Sequence, residues 1–360
     1  MKRLLFALTI LAVGASCMQK EEPRELFPIR LNESDLKPQG YYDGALYYVI
    51  TSTSPREVCI SGTGPGRTQV TTPTHVMIND TAYTCIGFYN NAFCGNDSLR
   101  EVKTTGYVKV FSDSSFMGCS NLTGFVFPKK TSVIGDGAFR DCRQLTSIRF
   151  VSGASANIGK GAFEGCVALE TVEFKSDIKK IGESAFAGCI GLDSIQTPGG
   201  LDTLASKAFA GCIGLKKVVI AKAAYIGDYA FMGCDSLLSI ALPKSVTKLG
   251  KGAFADCINM DTVALNYGLT LIDSLTFRNC RKLTSITLPS SIDSLETDAF
   301  WGCNQLTAIR LNDSIPPSYH GSTTNIGINT SEITLRVPKG SKARYQASPF
   351  WSRFTHITEN

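Results

Sequence analysis

The chain has 360 residues, 43% of them hydrophobic and 19% charged, with a formal net charge of +5. That composition supplies a core and does not suit a disordered chain. No run of three consecutive Lys/Arg occurs, so the concentrated basic footprint of a nucleic-acid binder is missing, and only His75, His320 and His356 offer imidazoles, which weakens the case for an enzyme or a metal site.

At the amino end, Lys2 and Arg3 precede an apolar run from Leu4 to Val13, followed by Gly14, Ala15, Ser16 and Cys17. Basic, apolar and small residues in this order are expected to form a secretory signal over residues 1–16. A run of ten residues is too short for a bilayer span, which takes about 20. The small residues before Cys17 resemble the lipobox of bacterial lipoproteins, with Gly14 where the usual box has leucine. The resemblance implies diacylglycerol on the Cys17 thiol. The adjoining Met18-Gln19-Lys20-Glu21-Glu22-Pro23 is similar to the short acidic tether that goes with outer-face display in some Gram-negative lipoproteins. Residues 17–40 are therefore expected to be lipidated cysteine and tether, anchored to the outer membrane rather than spanning it.

Between residues 41 and 85, Tyr41, Tyr42, Tyr47 to Ile50, Val58 to Ile60 and Val76 to Ile78 are β-rich pieces between Ser/Thr/Gly/Pro turns. They predict a small antiparallel sheet that caps the rest of the chain, with Asn79-Asp80-Thr81 as a hairpin tip. Gly62-Thr63-Gly64-Pro65-Gly66-Arg67 lacks the Gly-Lys-Ser/Thr ending of a phosphate loop and reads as a turn.

From residue 86 to 312 the chain repeats. Phenylalanine recurs ten times, from Phe93 to Phe300, at spacings of 22 to 24 residues. Three places later stands Cys119, Cys142, Cys166, Cys189, Cys212, Cys234, Cys257, Cys280 or Cys303, with Asn96 in the first copy. Leucine (Met260 once) stands at six places and an apolar residue, usually Ile or Val, at nine. A glycine four places before Phe, as at Gly135, Gly159, Gly182, Gly227 and Gly250, is expected to serve a turn of positive φ. L-x-x-I-x-[LFI] sets two apolar side chains on one face of a short strand. A-F-x-x-C leaves room for about one helical turn opposite. One coil cannot bury its own Phe, Cys and Leu, but stacked coils can, so the spacing predicts a solenoid with parallel strands.

The repeat I-G-x-x-A-F-x-x-C-x-x-L-x-x-I-x-[LF]-P, best seen from Ile158 to Phe174, resembles the BspA-like class of bacterial leucine-rich repeats. The resemblance implies a leucine-rich-repeat solenoid of the α/β type: mostly short parallel strands, with turns and short helical segments on the opposite side. Residues 313–360 look like that family's carboxy-terminal cap, with a final strand and turn over Ile333 to Ser341. Tyr345, Trp351, Phe354 and Ile357 would cover the open end. Family members are described as surface proteins that engage host proteins, matrix or other microbes.

Function is then expected on solvent-facing strand positions eight, ten and twelve places after each Phe. Lys103, Arg149, Glu173, Lys175, Gln196, Lys217, Asn266 and Arg310 are the candidates for binding an unidentified protein or glycan. No nucleophile–base pair recurs among such positions, so no catalytic residue is assigned, and no cofactor or metal is expected. The ladder cysteines lack zinc spacing and read as small buried filler. Cys59, Cys85 and Cys94 lie outside their register, and an exported chain permits a disulfide among them. The leading expectation is a non-enzymatic surface lipoprotein for adhesion or recognition. The alternative is a structural or spacer lipoprotein of the cell envelope.

Overall fold

A computed structural model describes residues 29–31, 36–37, 40–175, 177–321 and 328–360. The signal and the anchoring Cys17 expected from the sequence lie outside the described residues. Contacts divide the chain into two units, up to Cys189 and from Ile190.

In the first unit, β1 (Ile29–Leu31), β2 (Leu36–Lys37), β3 (Gly40–Tyr42), β4 (Leu46–Thr53) and β5 (Arg56–Thr63) precede β6 (Gln69–Thr71), β7 (His75–Ile78) and β8 (Thr81–Phe88). β2, β3, β4 and β5 pair antiparallel in sequence order. β7 and β8 form the expected hairpin, with Asn79 and Asp80 both left-handed at its tip, as a two-residue type I′ turn requires. Asp43 organises the β3–β4 turn. One of its carboxylate oxygens accepts the Ala45 and Leu46 amides, and the other accepts the buried Tyr48 hydroxyl at 2.8 Å.

The cap is not wholly antiparallel. β5 runs parallel to β8, and β8 runs parallel to Val110–Phe111. β6 likewise pairs in parallel with Glu101–Lys103. The cap thus supplies an edge to each of two ladders that continue through the repeats. One ladder holds the longer strands, such as Gly124–Phe127, Ser147–Phe150 and Thr171–Phe174, in one-to-one parallel register. The other holds two-residue strands such as Val133–Ile134 and Asn157–Ile158.

The second unit repeats the plan. Its longer strands pair in separate short sheets, Ser194–Gln196 with Lys217–Val219 and Ser239–Ala241 with Thr262–Ala264. Four strands end the unit: Ser285–Leu288, Ala308–Leu311, Thr334–Val337 and His356–Glu359. The strand at Thr334–Val337 is therefore not the last. A further parallel rung, His356–Glu359, lies on it after α1 (Lys342–Ala347) and the 3-10 turn Trp351–Arg353. Tyr345, Trp351, Phe354 and Ile357 are all buried there, and Trp351 Nε1 donates to Pro317 O at 2.7 Å.

The A-F-x-x-C stretch forms no helix in either unit. In all ten coils the residues two before and two after the Phe have positive φ, for example Ser114 and Gly118, or Tyr229 and Gly233. This alternation turns every second amide toward the next coil. Ser114, Phe116 and Gly118 donate to Asp136 O, Ala138 O and Arg140 O at 2.7–2.9 Å. Tyr229, Phe231 and Gly233 donate likewise to Lys251 O, Ala253 O and Ala255 O at 2.8–2.9 Å. An α-helix would use the same amides within one segment. Here they join neighbouring coils and form a third ladder.

The glycine four before Phe also differs from expectation. Gly135, Gly159, Gly182, Gly227 and Gly250 do not have positive φ. A Cβ on Gly227 would stand 2.5 Å from Ser206 N, and one on Gly182 2.7 Å from Gly159 C. Glycine is needed because adjacent backbones touch there.

Candidate functional site

Inside each coil the columns are fully committed to packing. Phe93, Phe116, Phe139, Phe163 and Phe186 stack in the first unit with centroids 4.9–5.5 Å apart and near-parallel rings. Phe209, Phe231, Phe254, Phe277 and Phe300 do so in the second at 5.5–5.9 Å. Such offset stacks add to the area each ring buries.

The cysteine column does more than fill space. Cys142 Sγ donates to Phe116 O at 3.2 Å and Cys166 Sγ to Phe139 O at 3.1 Å. Cys257 and Cys303 repeat the contact at 3.2 and 3.1 Å. Each such Phe carbonyl also accepts the amide of its own coil's cysteine, as in Cys142 N to Phe139 O at 3.3 Å. The thiol therefore satisfies the second lone pair of a buried carbonyl, which serine would do at greater desolvation cost and alanine not at all. Burial pushes the Cys257 thiol up to about 12 and the Cys142 thiol well above its usual value. These two thiols are thus held neutral and are poor nucleophiles or metal ligands. Cys59 and Cys85 are buried free thiols in the cap, and Cys94 is an exposed one; the disulfide left open among them is not formed in this structure.

The strand positions eight and ten after Phe face solvent in register. Arg149 lies opposite Glu173 on the neighbouring strand, with Nε to Oε2 at 2.9 Å, and Lys175 Nζ reaches the same oxygen at 3.2 Å. Lys103 pairs with Glu101 at 2.7 Å. In the second unit Gln196, Lys217 and Arg310 are exposed. Between Lys217 and Arg310 the two rows carry Val219, Ser239, Ala241, Thr262, Ala264, Ser285 and Thr287, all exposed and uncharged, with Ala308 half-buried. Exposed pairs such as Arg149–Glu173 contribute little to stability, roughly 0–1 kcal/mol.

Asn266 does not belong to this face. Its side chain is buried, donates to Pro243 O at 2.9 Å and to Val246 O at 3.0 Å, and accepts the Gly268 amide at 2.5 Å. Twelve places after Phe the chain has already begun to turn, so that register alternates between exposed Lys175 and buried Thr105 or Asn266. The amide replaces backbone partners that the turn lacks.

One cluster escaped the sequence reading. Arg56, Glu57, His75, Thr84, Ile86, Tyr107, Lys109 and Lys130 line a cleft of about 430 Å³ in the first unit, on the outer side of β5 and β8. Lys109 Nζ lies 2.6 Å from Glu57 Oε1, and Lys130 Nζ stands over the Tyr107 ring, 4.5 Å from its centroid.

A model of the BspA type leucine rich repeat region matches in six copies over residues 109–225 and 224–337. The chain belongs to the BspA-type leucine-rich repeat family. The matched span takes in the Phe, Cys and Leu columns from Phe116 onward. Among solved structures, a leucine-rich repeat protein from Bacteroides ovatus is similar at 22% identity and a TM-score of 0.52, covering 88% of this chain and 98% of that one. The pneumococcal vaccine antigen PcpA is 17% identical with a TM-score of 0.45, covering 88% and 97%. A leucine-rich repeat protein of T. pallidum is 22% identical with a TM-score of 0.47, covering 61% and 90%. The first of these likenesses supports the leucine-rich-repeat solenoid fold. Curated proteins give no match.

Proposed function

We propose that this BspA-type chain is an exported, lipid-anchored protein of the outer-membrane surface whose strand face binds a host or microbial protein or glycan. The observation that carries the reading is the division of roles in each coil. Phe, Cys and Leu are buried, whereas the positions eight and ten after Phe are exposed or half-exposed on the preformed strand ladders of each unit. A rigid face of this kind loses little entropy on binding. We assign it no catalysis: among the described residues the strand face carries salt bridges and small uncharged side chains.

The test is binding of the purified chain to a panel of matrix proteins, mucins and intact bacteria, with Arg149→Glu and Lys217→Glu as face variants. Saturable binding that these variants weaken supports the reading; failure across the panel overturns it. Metabolic labelling with a fatty acid, compared with Cys17→Ala, tests the anchor. Protease shaving of intact cells tests display, because a protein facing the periplasm would survive it.

A further inference from the structure

The cleft on the outer side of β5 and β8 lies on a different ladder from the strand face and has its own chemistry. Its floor is the outward face of β8, where Ala82, Thr84 and Ile86 alternate with the inward Tyr83 and Cys85. Its walls come from distant parts of the chain: Arg56 and Glu57 on β5, His75 on β7, and Tyr107, Lys109 and Lys130 from the loops of two successive coils.

The charges there do not cancel. Glu57 is the lining carboxylate, and Lys109 takes it at 2.6 Å. Arg56 and Lys130 are both exposed and have no carboxylate partner among the described residues. Lys130 is not loose, because its ammonium lies 4.5 Å from the Tyr107 ring centroid, and the His75 ring is tilted against the same ring at 5.8 Å between centroids. Placing a cation over an aromatic face costs part of its conformational freedom in advance. Two fixed or flanking cations around a neutral hydroxyl and apolar floor form a receptor for separated negative groups on a compact ligand. The volume of about 430 Å³ falls in the range of small-molecule sites.

The backbone argues for a sugar over a peptide. β8 is bonded to β5 on one side and to β7 and Val110–Phe111 on the other. Among the described residues only the short Thr81–Tyr83 stretch of β8 lacks a partner on the β5 side, since β5 pairs with β8 from Thr84 onward, and so short an edge gives an extended peptide little room to add itself by main-chain hydrogen bonds. Recognition must come from charge, hydroxyl and ring contacts.

We propose that this cleft binds an acidic glycan, with Arg56 and Lys130 pairing its sulfate or carboxylate groups and the Tyr107–Ile86 surface receiving the ring between them. The site is independent of the strand face.

The test is calorimetric titration of the full chain with a sulfated disaccharide, a uronate disaccharide of equal length, inorganic sulfate and a short polyglutamate. Saturable binding of either disaccharide, weakened at least tenfold in Arg56→Glu/Lys130→Glu and kept in Lys130→Arg, supports the site. Which disaccharide binds identifies the acidic group. Both reversed residues are exposed, and an unchanged unfolding midpoint shows that the variant is folded. Arg149→Glu on the strand face leaves this binding unchanged, which separates its failure from that of the strand-face reading. Equal binding of polyglutamate, binding of inorganic sulfate alone, affinity indifferent to the double reversal, or no binding at all overturns the proposal.

Discussion

Replacing Gly227 by alanine puts a methyl carbon 2.5 Å from Ser206 N, 2.6 Å from Ala205 C and 3.0 Å from Ser206 Cα. All three neighbours are backbone, so no side chain can swing aside. Relief requires the coil to move away by several tenths of an ångström, against the bond from Gly227 N to Leu204 O at 2.8 Å. Overpacking of this sort costs about 1–3 kcal/mol, and loss of a buried ladder bond about 0.5–1.5 kcal/mol. The expected destabilisation is about 2–4 kcal/mol. Gly233, six residues later, supplies the control. Its φ is +68°, but a Cβ there would meet nothing nearer than 3.9 Å. Gly233→Ala costs only the left-handed torsion, about 1–2 kcal/mol, offset by the 0.4–1 kcal/mol that alanine gains through a less disordered unfolded chain. Urea unfolding midpoints of the full chain give the order, and hydrogen exchange of the Gly227 and Ile226 amides shows where the damage lies. If Gly233→Ala proves the more damaging, torsion and not backbone contact governs the repeat.

Asn266→Ala leaves Val246 O without its donor and the Gly268 amide without its acceptor, while Pro243 O keeps the Val246 amide, and should cost about 1–3 kcal/mol, read as a lowered urea midpoint; Gln196→Ala should leave that midpoint unmoved. Stability should fall at alkaline pH. Burial raises the folded thiols of Cys85, Cys257 and Cys303 from 9.0 to about 12, so the unfolded chain loses those protons first. Their contribution is intact below pH 9 and is lost as pH climbs toward 12; Cys257→Ala should show a shallower decline in a pH series of unfolding midpoints. Thiol labelling of the native chain should modify Cys94, which is exposed, ahead of the nine buried ladder cysteines. Mass mapping of the labelled peptides checks this, and rapid labelling of Cys166 or Cys257 would contradict the buried column.

The interior was legible because it is written as spacing. Phe, Cys and Leu recur at fixed offsets, and a column that repeats must either stack or face solvent together. The tip at Asn79-Asp80 was legible for a different reason, since both residue types tolerate the left-handed conformation they adopt. What could not be read was which force selects a glycine. Gly227 and Gly233 look alike in sequence, yet one answers to a neighbouring backbone and the other to its own torsion. The positive φ two places before Phe falls on Gly137, Gly161 and Gly252 but equally on Lys207, Tyr229 and Leu275, so no one residue type marks it, and the expected helical segment gave way to inter-coil bonding that only the stacked partner reveals. Asn266 fitted a numerical register but not the path of the chain after the strand. The cleft was invisible because Arg56 and Lys130 are 74 residues apart and meet only when cap and coils share a ladder.

Three ladders per coil also explain why the strand face can change freely. Backbone amides are satisfied between neighbouring coils at the long strands, at the short strands and around each Phe, and apolar columns fill the space between. The side chains eight and ten places after Phe carry none of that work. Stability in such arrays is close to a sum of coil and neighbour terms, and an exposed substitution outside those terms shifts it by less than about 0.5 kcal/mol. Lys217→Glu, Gln196→Lys and Arg310→Ala should therefore leave the unfolding midpoint of the chain nearly constant, singly and together, while altering any ligand that the face holds. A triple variant that unfolds several kcal/mol more easily would mean that the face is structural, and the binding role assigned to it would have to move elsewhere.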